Sequence, residues 1–166
     1  SIRAGWKALR QMARAHADAF RVLRKKVPGA RVGASVVAEA LLPFDVSSTW
    51  DLRASRWEHA LSNRVWPEAL IRGRWPRPFG ENACLKETAD FIGVSYCGMQ
   101  RVRFHPGRGG ISVRVTGVGR PAGPHILEEY PEGMVKVLKE VSAFGKPIMV
   151  LENGIATEDD TERCHY

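Results

Sequence analysis

Three short apolar segments, separated by longer stretches with helical features, constrain the fold of this chain more than anything else in the sequence. Each segment is rich in β-branched or aromatic residues and almost free of charge, which is typical of strands buried on both faces of a parallel sheet. The predicted strands are 31–37, 91–96 and 148–151, and the predicted helices are 2–27, 51 to about 65, and 131–144. This alternation predicts an α/β fold, with either an open doubly wound sheet or a closed barrel.

Residues that cap or end helices lie between these segments and set their expected ends. Ser48 or Thr49 is expected to cap the second helix, which Trp66 and Pro67 should interrupt, and Gly145 should end the third. The glycine-rich segment 97–123 is interpreted as a surface hairpin. It lacks the spacing of a phosphate-binding loop, and no G-x-G-x-x-G follows the first strand. No cofactor is therefore predicted.

The net charge of +7 is unevenly distributed, since residues 1–78 carry 15 Lys and Arg against 6 Asp and Glu. Clustered basic residues can bind the phosphate backbone of a nucleic acid. In the first helix, however, they lie around an apolar stripe with no exposed aromatic residues between them, as on an ordinary solvated face. His16 belongs to that stripe and is expected to be packed, not to bind a ligand. No nucleic-acid partner is predicted.

The three cysteines, Cys84, Cys97 and Cys164, are far apart and form no C-x-x-C pair. Neither a disulfide framework nor a thiolate metal site is therefore predicted. No apolar run approaches the roughly 18 residues of a membrane-spanning helix, and no secretory signal is visible. The sequence favours one globular unit in the cytoplasm, with no metal and no membrane partner.

In both α/β architectures the functional residues lie beyond the carboxyl ends of the strands. Those ends hold Glu39 after the first strand, Tyr96 and Cys97 at the second, and Glu152 after the third. The Glu152 carboxylate would be costly to bury, but it could face a polar cleft. It could act there as a nucleophile, a general base or a metal ligand, or it could simply lead into an Asn-Gly turn.

Three motifs in the same order resemble segments of glycoside hydrolase family 1, the β-glucosidase family. Residues 146–163 are similar to its K-P-I-x-I-T-E-N-G-I-A-T-x-D-D-x-x-R segment. Residues 90–97 resemble its D-F-I-G-V-N-Y-Y strand, and residues 130–134 resemble its Y-P-E-G-L helix start. With weaker colinear matches, the resemblance covers nearly the whole chain.

The resemblance implies that residues 1–166 form one incomplete glycosidase barrel domain, a partial (β/α)8 TIM barrel with about strands five to seven and their helices. It implies a retaining β-glycosidase that hydrolyses the O-glycosyl bond of a β-glycoside or oligosaccharide, with Glu152 as the catalytic nucleophile. The family's acid/base glutamate, in an N-E-P motif, is absent from this sequence. The chain alone is therefore expected to be inactive or nearly so, and its expected protein partner is the remainder of the barrel.

Three positions depart from the family pattern: Ser95 replaces an Asn, Cys97 replaces the Tyr that hydrogen-bonds the nucleophile, and Leu127 replaces a Trp. A thiol is a weak donor and shorter than a tyrosine side chain. Tyr96 is the remaining candidate for a hydroxyl that contacts substrate, although neighbouring side chains of a strand point to opposite faces. The departures leave open a non-catalytic carbohydrate-binding, or decayed, relative.

Overall fold

The structure is a computed structural model that describes residues 2–76, 80–107, 110–115, 127–155 and 157–166. Helices and strands alternate along most of the chain. In order, the elements are α1 (Ile2–Lys26), β1 (Gly33–Val37), β2 (Ala40–Pro43), α2 (Thr49–His59), α3 (Val65–Pro67), β3 (Phe91–Tyr96), β4 (Met99–Gly107), β5 (Gly110–Val115), α4 (Glu132–Ser142), β6 (Ile148–Asn153) and α5 (Asp160–His165).

The main sheet contains the three predicted strands in the order β1-β3-β6, and both pairings are parallel. The predicted α/β class is therefore confirmed. The prediction that all three strands are buried on both faces is correct only for the central strand β3. Along β1 buried and exposed residues alternate, and most of β6 is exposed. The physical reason is that β1 and β6 are the two edges of this sheet within the described residues.

A second sheet, in the order β2-β4-β5, extends the first beyond the carboxyl ends of its strands. The link consists of backbone hydrogen bonds, in which Ala38 N–H donates to the Ser95 carbonyl and Ala40 N–H donates to the Gly98 carbonyl. Strands β4 and β5 are antiparallel, which confirms the predicted hairpin, although residues 108, 109 and 116–123 of that segment lie outside the described residues. The sequence did not predict β2, whose four residues are extended because they pair with β4.

The helical segment after Ser48 is longer than predicted. Ser48 caps α2, since its side chain accepts a hydrogen bond from Asp51 N–H at 3.2 Å. A π-helical segment (Ala60–Arg64) follows α2, then the single turn α3, then a second π-helical segment (Glu68–Arg72) that Gly73 caps. The predicted interruption at Trp66 and Pro67 is therefore wrong. Pro67 has no N–H to donate, and the wider hydrogen-bond spacing on both sides keeps the chain helical around it.

The hydrophobic core lies between the main sheet and the helices that pack on it, and it includes Ala13, Val36, Leu70, Val94 and Val137. His16 packs at its margin, with Nε2 at 2.8 Å from the Thr88 carbonyl oxygen, as predicted for a packed histidine. Among the described residues, no helix has both the length and the apolar character needed to cross a membrane.

Candidate active site

The carboxylate of Glu152 lies at the carboxyl end of the main sheet. The sequence predicted that the strand ends at Leu151 and that Glu152 follows it. In the structure β6 runs through Asn153, so Glu152 belongs to the strand. Glu152 pairs with Ser95 of β3, directly after an irregularity in the register between Val94 and Ser95. Its side chain is exposed, so the carboxylate is accessible without desolvation.

Cys97 follows the central strand β3, at the same end of the main sheet as Glu39 and Glu152. Its thiol is half-buried just beyond β3. Burial raises the pKa of the Cys97 thiol, and the nearby carboxylates of Glu152 and Glu39 raise that pKa further. A negative charge beside a thiol disfavours its ionisation. Because Val37 of β1, Ser95 of β3 and Glu152 of β6 are in register, the candidate residues from all three strands lie at the same end of the sheet.

Glu39 is held at this end of the sheet by side chains that sequence reasoning missed. The buried amide of Asn63 donates to the Glu39 carbonyl at 2.8 Å and accepts from the Glu39 N–H at 3.2 Å. Arg114 Nη1 lies 2.6 Å from Glu39 Oε2 and also donates to Gln100 Oε1 at 2.9 Å. Asn63 and Arg114 are far from Glu39 along the chain, so no local pattern could have identified them.

Tyr96 points the other way from its neighbours Ser95 and Cys97. Its side chain is 0% exposed, and its hydroxyl donates to the Tyr130 carbonyl at 2.6 Å. Burial is the main reason that its pKa is raised far above the usual value of a tyrosine. The proposal that Tyr96 contacts substrate stays a prediction, and this buried hydrogen bond instead favours a role in packing β3 against α4.

The C-terminal residue Tyr166 also lies near Cys97. Burial, followed by the neighbouring Cys97 and Glu129, raises the pKa of Tyr166 to about 12.

The described part of the chain contains no group of three or more His, Cys, Asp or Glu side chains that could hold a metal ion.

Comparison with known proteins identifies the family. The sequence model of glycosyl hydrolase family 1 matches residues 1–166. The chain belongs to glycosyl hydrolase family 1. This membership confirms the resemblance carried by the three sequence motifs.

Two curated relatives of this family 1 chain are glycosidases. It is 27% identical to beta-glucosidase A from Thermotoga maritima over 95% of this chain and 39% of the relative. It is 29% identical to the beta-galactosidase of Pyrococcus woesei over 75% of this chain and 28% of that relative. The family 1 chain therefore spans well under half the length of either protein.

The fold is also that of solved family members. The beta-glycosidase from Pyrococcus horikoshii superposes with a TM-score of 0.77 and is 28% identical, over 91% of this family 1 chain and 35% of that structure. The arrangement of strands and helices described above is therefore shared with a longer glycosidase.

Proposed function

We propose that the chain forms about strands five to seven of a (β/α)8 barrel and that residues 1–166 are one incomplete glycosidase barrel domain. The order β1-β3-β6, with helical segments between successive strands, supports this assignment because consecutive parallel strands of such a barrel are neighbours. Both edges of the sheet then require partners, and the proposed partner is the remainder of the barrel.

The proposed activity is that of a retaining β-glycosidase, β-glucosidase-like, in which Glu152 is the nucleophile. The observation that carries the proposal is the exposed carboxylate at the carboxyl end of β6, in a chain of family 1. Curated relatives include both a glucosidase and a galactosidase, so the proposed substrate class is a β-glycoside or oligosaccharide without a named sugar.

In this mechanism the Glu152 carboxylate attacks the anomeric carbon, and the bond from that carbon to the leaving oxygen breaks. The leaving oxygen takes a proton from a second carboxylic acid, which lies about 5 Å from the nucleophile in retaining enzymes. Water then hydrolyses the glycosyl ester, while the second carboxylate accepts the proton of that water. No N-E-P motif occurs in this sequence, so the second group must come from outside the chain, and the chain alone is proposed to be inactive.

A non-catalytic carbohydrate-binding relative is the second candidate, and the surroundings of Cys97 favour it. The raised pKa keeps the thiol neutral beside Glu152, and a neutral thiol is a poor hydrogen-bond donor. Ser95, which pairs with Glu152, is buried and has a shorter side chain than the family's Asn. These two changes weaken the hydrogen bonding that would position the Glu152 carboxylate, but the carboxylate itself is still present.

The test requires a protein with the remaining strands, for example beta-glucosidase A from Thermotoga maritima with its matching segment replaced by this chain. Glu152→Gln should lower hydrolysis of an aryl β-glucoside by about a thousandfold or more, because the covalent step is lost. In Glu152→Ala, added azide should enter the vacated position and yield the α-glycosyl azide.

Glu158→Gln is the matched control, because Glu158 is an exposed glutamate close by in the sequence. It should leave the rate unchanged. Undiminished hydrolysis by the Glu152→Gln chimera would remove Glu152 from the mechanism. A folded chimera that binds glycosides without hydrolysing them would favour the carbohydrate-binding alternative.

A further inference from the structure

A cavity of about 370 Å³ opens near the far end of the second sheet, and its lining includes none of Glu39, Cys97 and Glu152. Phe44, directly after β2, and Trp50, in the first turn of α2, line one side of it. Arg103 and Phe104 of β4 line another. Since β2 and β4 extend the main sheet beyond its carboxyl ends, the cavity lies on the same end of the molecule as Glu152. We call it the Trp50 cavity.

The wall of the Trp50 cavity presents an exposed aromatic surface. Trp50 is 56% exposed, although Phe104 stacks on its ring with a centroid distance of 5.0 Å and an interplanar angle of 25°. The guanidinium carbon of Arg53 lies 5.5 Å from the centroid of the Trp50 ring. Stacking orients the indole but leaves over half of the residue in water, where apolar surface is costly.

A hydrogen-bond acceptor and a hydrogen-bond donor flank this aromatic surface. The Asp45 carboxylate accepts hydrogen bonds from the Ser47 hydroxyl and the Ser47 N–H, which lower the pKa of Asp45 and keep it an ionised acceptor. The Arg103 guanidinium, a donor, lies 3.7 Å from the centroid of the Phe44 ring. The cavity therefore offers an acceptor and a donor beside an aromatic face.

Buried Asp51 makes this arrangement rigid. Its Oδ1 accepts a hydrogen bond from Phe104 N–H at 2.8 Å, and its Oδ2 accepts one from Asp45 N–H at 3.1 Å. One carboxylate thus ties the loop after β2, the start of α2 and strand β4 together. A preorganised site loses less conformational entropy when a ligand binds.

This chemistry matches a sugar ring better than other ligands. A pyranose has an apolar C–H face that can stack on an indole, and a rim of hydroxyl groups that both donate and accept hydrogen bonds. The Arg53 and Arg103 cations at this surface are matched by the Asp45 and Asp51 carboxylates, so it has no excess of positive charge with which to bind the phosphates of a nucleic acid. A purely apolar ligand would make no use of the Asp45 acceptor and the Arg103 donor.

We propose that the Trp50 cavity is a distal subsite that binds one sugar ring of a β-linked oligosaccharide through stacking on Trp50. Trp50 and Phe104 belong to α2 and the second sheet, not to the strand ends that carry Cys97 and Glu152. The ring bound there is therefore a further ring of the oligosaccharide and not the one that Glu152 attacks. The choice of ligand rests on the proposed function, whereas the site rests on its own geometry.

The test measures binding to the 166-residue chain and requires no turnover. Cellohexaose is titrated into the protein while tryptophan fluorescence and the indole N–H resonances are followed by spectroscopy. Trp50→Ala should weaken binding by about tenfold or more, because the stacking surface is lost. Trp57→Ala is the matched control, since Trp57 lies on the same helix, is 45% exposed and is not part of the cavity lining; its Kd should stay within about twofold of the unmodified chain.

Arg103→Ala is a second variant that keeps the indole, and it should weaken cellohexaose binding about threefold. Circular dichroism establishes that each variant is folded. The proposal is overturned if cellohexaose does not bind, or if Trp57→Ala loses as much affinity as Trp50→Ala. It is also overturned if an oligothymidylate binds at Trp50 more tightly than the sugar. Loss of the Glu152-dependent hydrolysis described above would not affect this binding, so the two proposals fail separately.

Discussion

The thiol of Cys97 shows how neighbours from distant parts of the chain determine the chemistry of one residue. The sequence places Cys97 at a strand end and Glu152 at another, so their proximity follows from parallel pairing alone. The third contributor, Glu39, is held by Asn63 and Arg114, which come from distant parts of the chain. Local sequence carries no signal for that arrangement.

Cys97 should therefore be alkylated by iodoacetamide at pH 8 several-fold more slowly than the exposed Cys84 and Cys164. A raised pKa means a smaller thiolate fraction at any given pH below it, and the thiolate is the reactive form. Peptide mass spectrometry over a pH series measures the three rates in one sample. Glu152→Gln and Glu39→Gln should each accelerate Cys97, whereas Glu158→Gln should not. Equal rates at Cys97 and Cys84 would contradict the expected pKa direction.

At the scale of elements, the start of α4 packs directly against β3. Tyr96 of β3 donates its hydrogen bond to the Tyr130 carbonyl, just before the helix, and Gly133 lies in the first turn against the Tyr96 hydroxyl. A Cβ at position 133 would overlap that hydroxyl and would lie 2.7 Å from Cδ1 of Tyr130. The glycine is therefore needed for close approach of helix and strand.

Gly133→Ala should lower the free energy of unfolding by about 1–3 kcal/mol, the usual cost of overpacking a filled core. Urea denaturation followed by circular dichroism measures the change. Gly5→Ala is the control, because Gly5 lies in α1 with nothing within 4 Å of an added Cβ. It should be neutral or should stabilise the chain by up to about 1 kcal/mol through helix propensity. Equal effects of the two substitutions would contradict the proposed contact.

At the scale of the whole molecule, the main sheet ends in an exposed strand. Val150 of β6 is 47% exposed, and its neighbours Met149 and Leu151 are exposed to a similar extent. Within the described residues, β6 pairs only with β3, so the backbone groups of its other edge have no strand partner. Exposed apolar edges of this kind promote pairing between chains.

The 166-residue chain should therefore self-associate as its concentration rises, and Val150→Lys should weaken that association by about tenfold or more, because a charge on an edge strand opposes pairing. Sedimentation velocity over a concentration series measures the effect. Val135→Lys replaces an equally exposed valine on α4 and should leave the association unchanged. A chain that stays monomeric at every concentration would contradict this expectation.

Patterns confined to a few neighbouring residues were predicted well. Ser48 caps α2 through its own side chain, and Gly145 adopts a positive φ of 69° after α4, as their residue types require. The prediction of an interruption at Pro67 was wrong. A proline removes only one backbone donor, and π-helical spacing on both sides satisfies the remaining backbone groups. The strand β2 was missed because its extended shape depends on pairing with β4.

The sequence by itself determined the α/β alternation, the family motifs and the location of Glu152 at a strand end, since each depends on residue types at fixed spacing. Only the tertiary structure decided that Asn63 and Arg114 hold Glu39, that the Tyr96 hydroxyl is buried, and that Trp50 stacks on Phe104. Those contacts join residues dozens of positions apart. Packing sets their geometry, because each close approach depends on the shape of the elements around it.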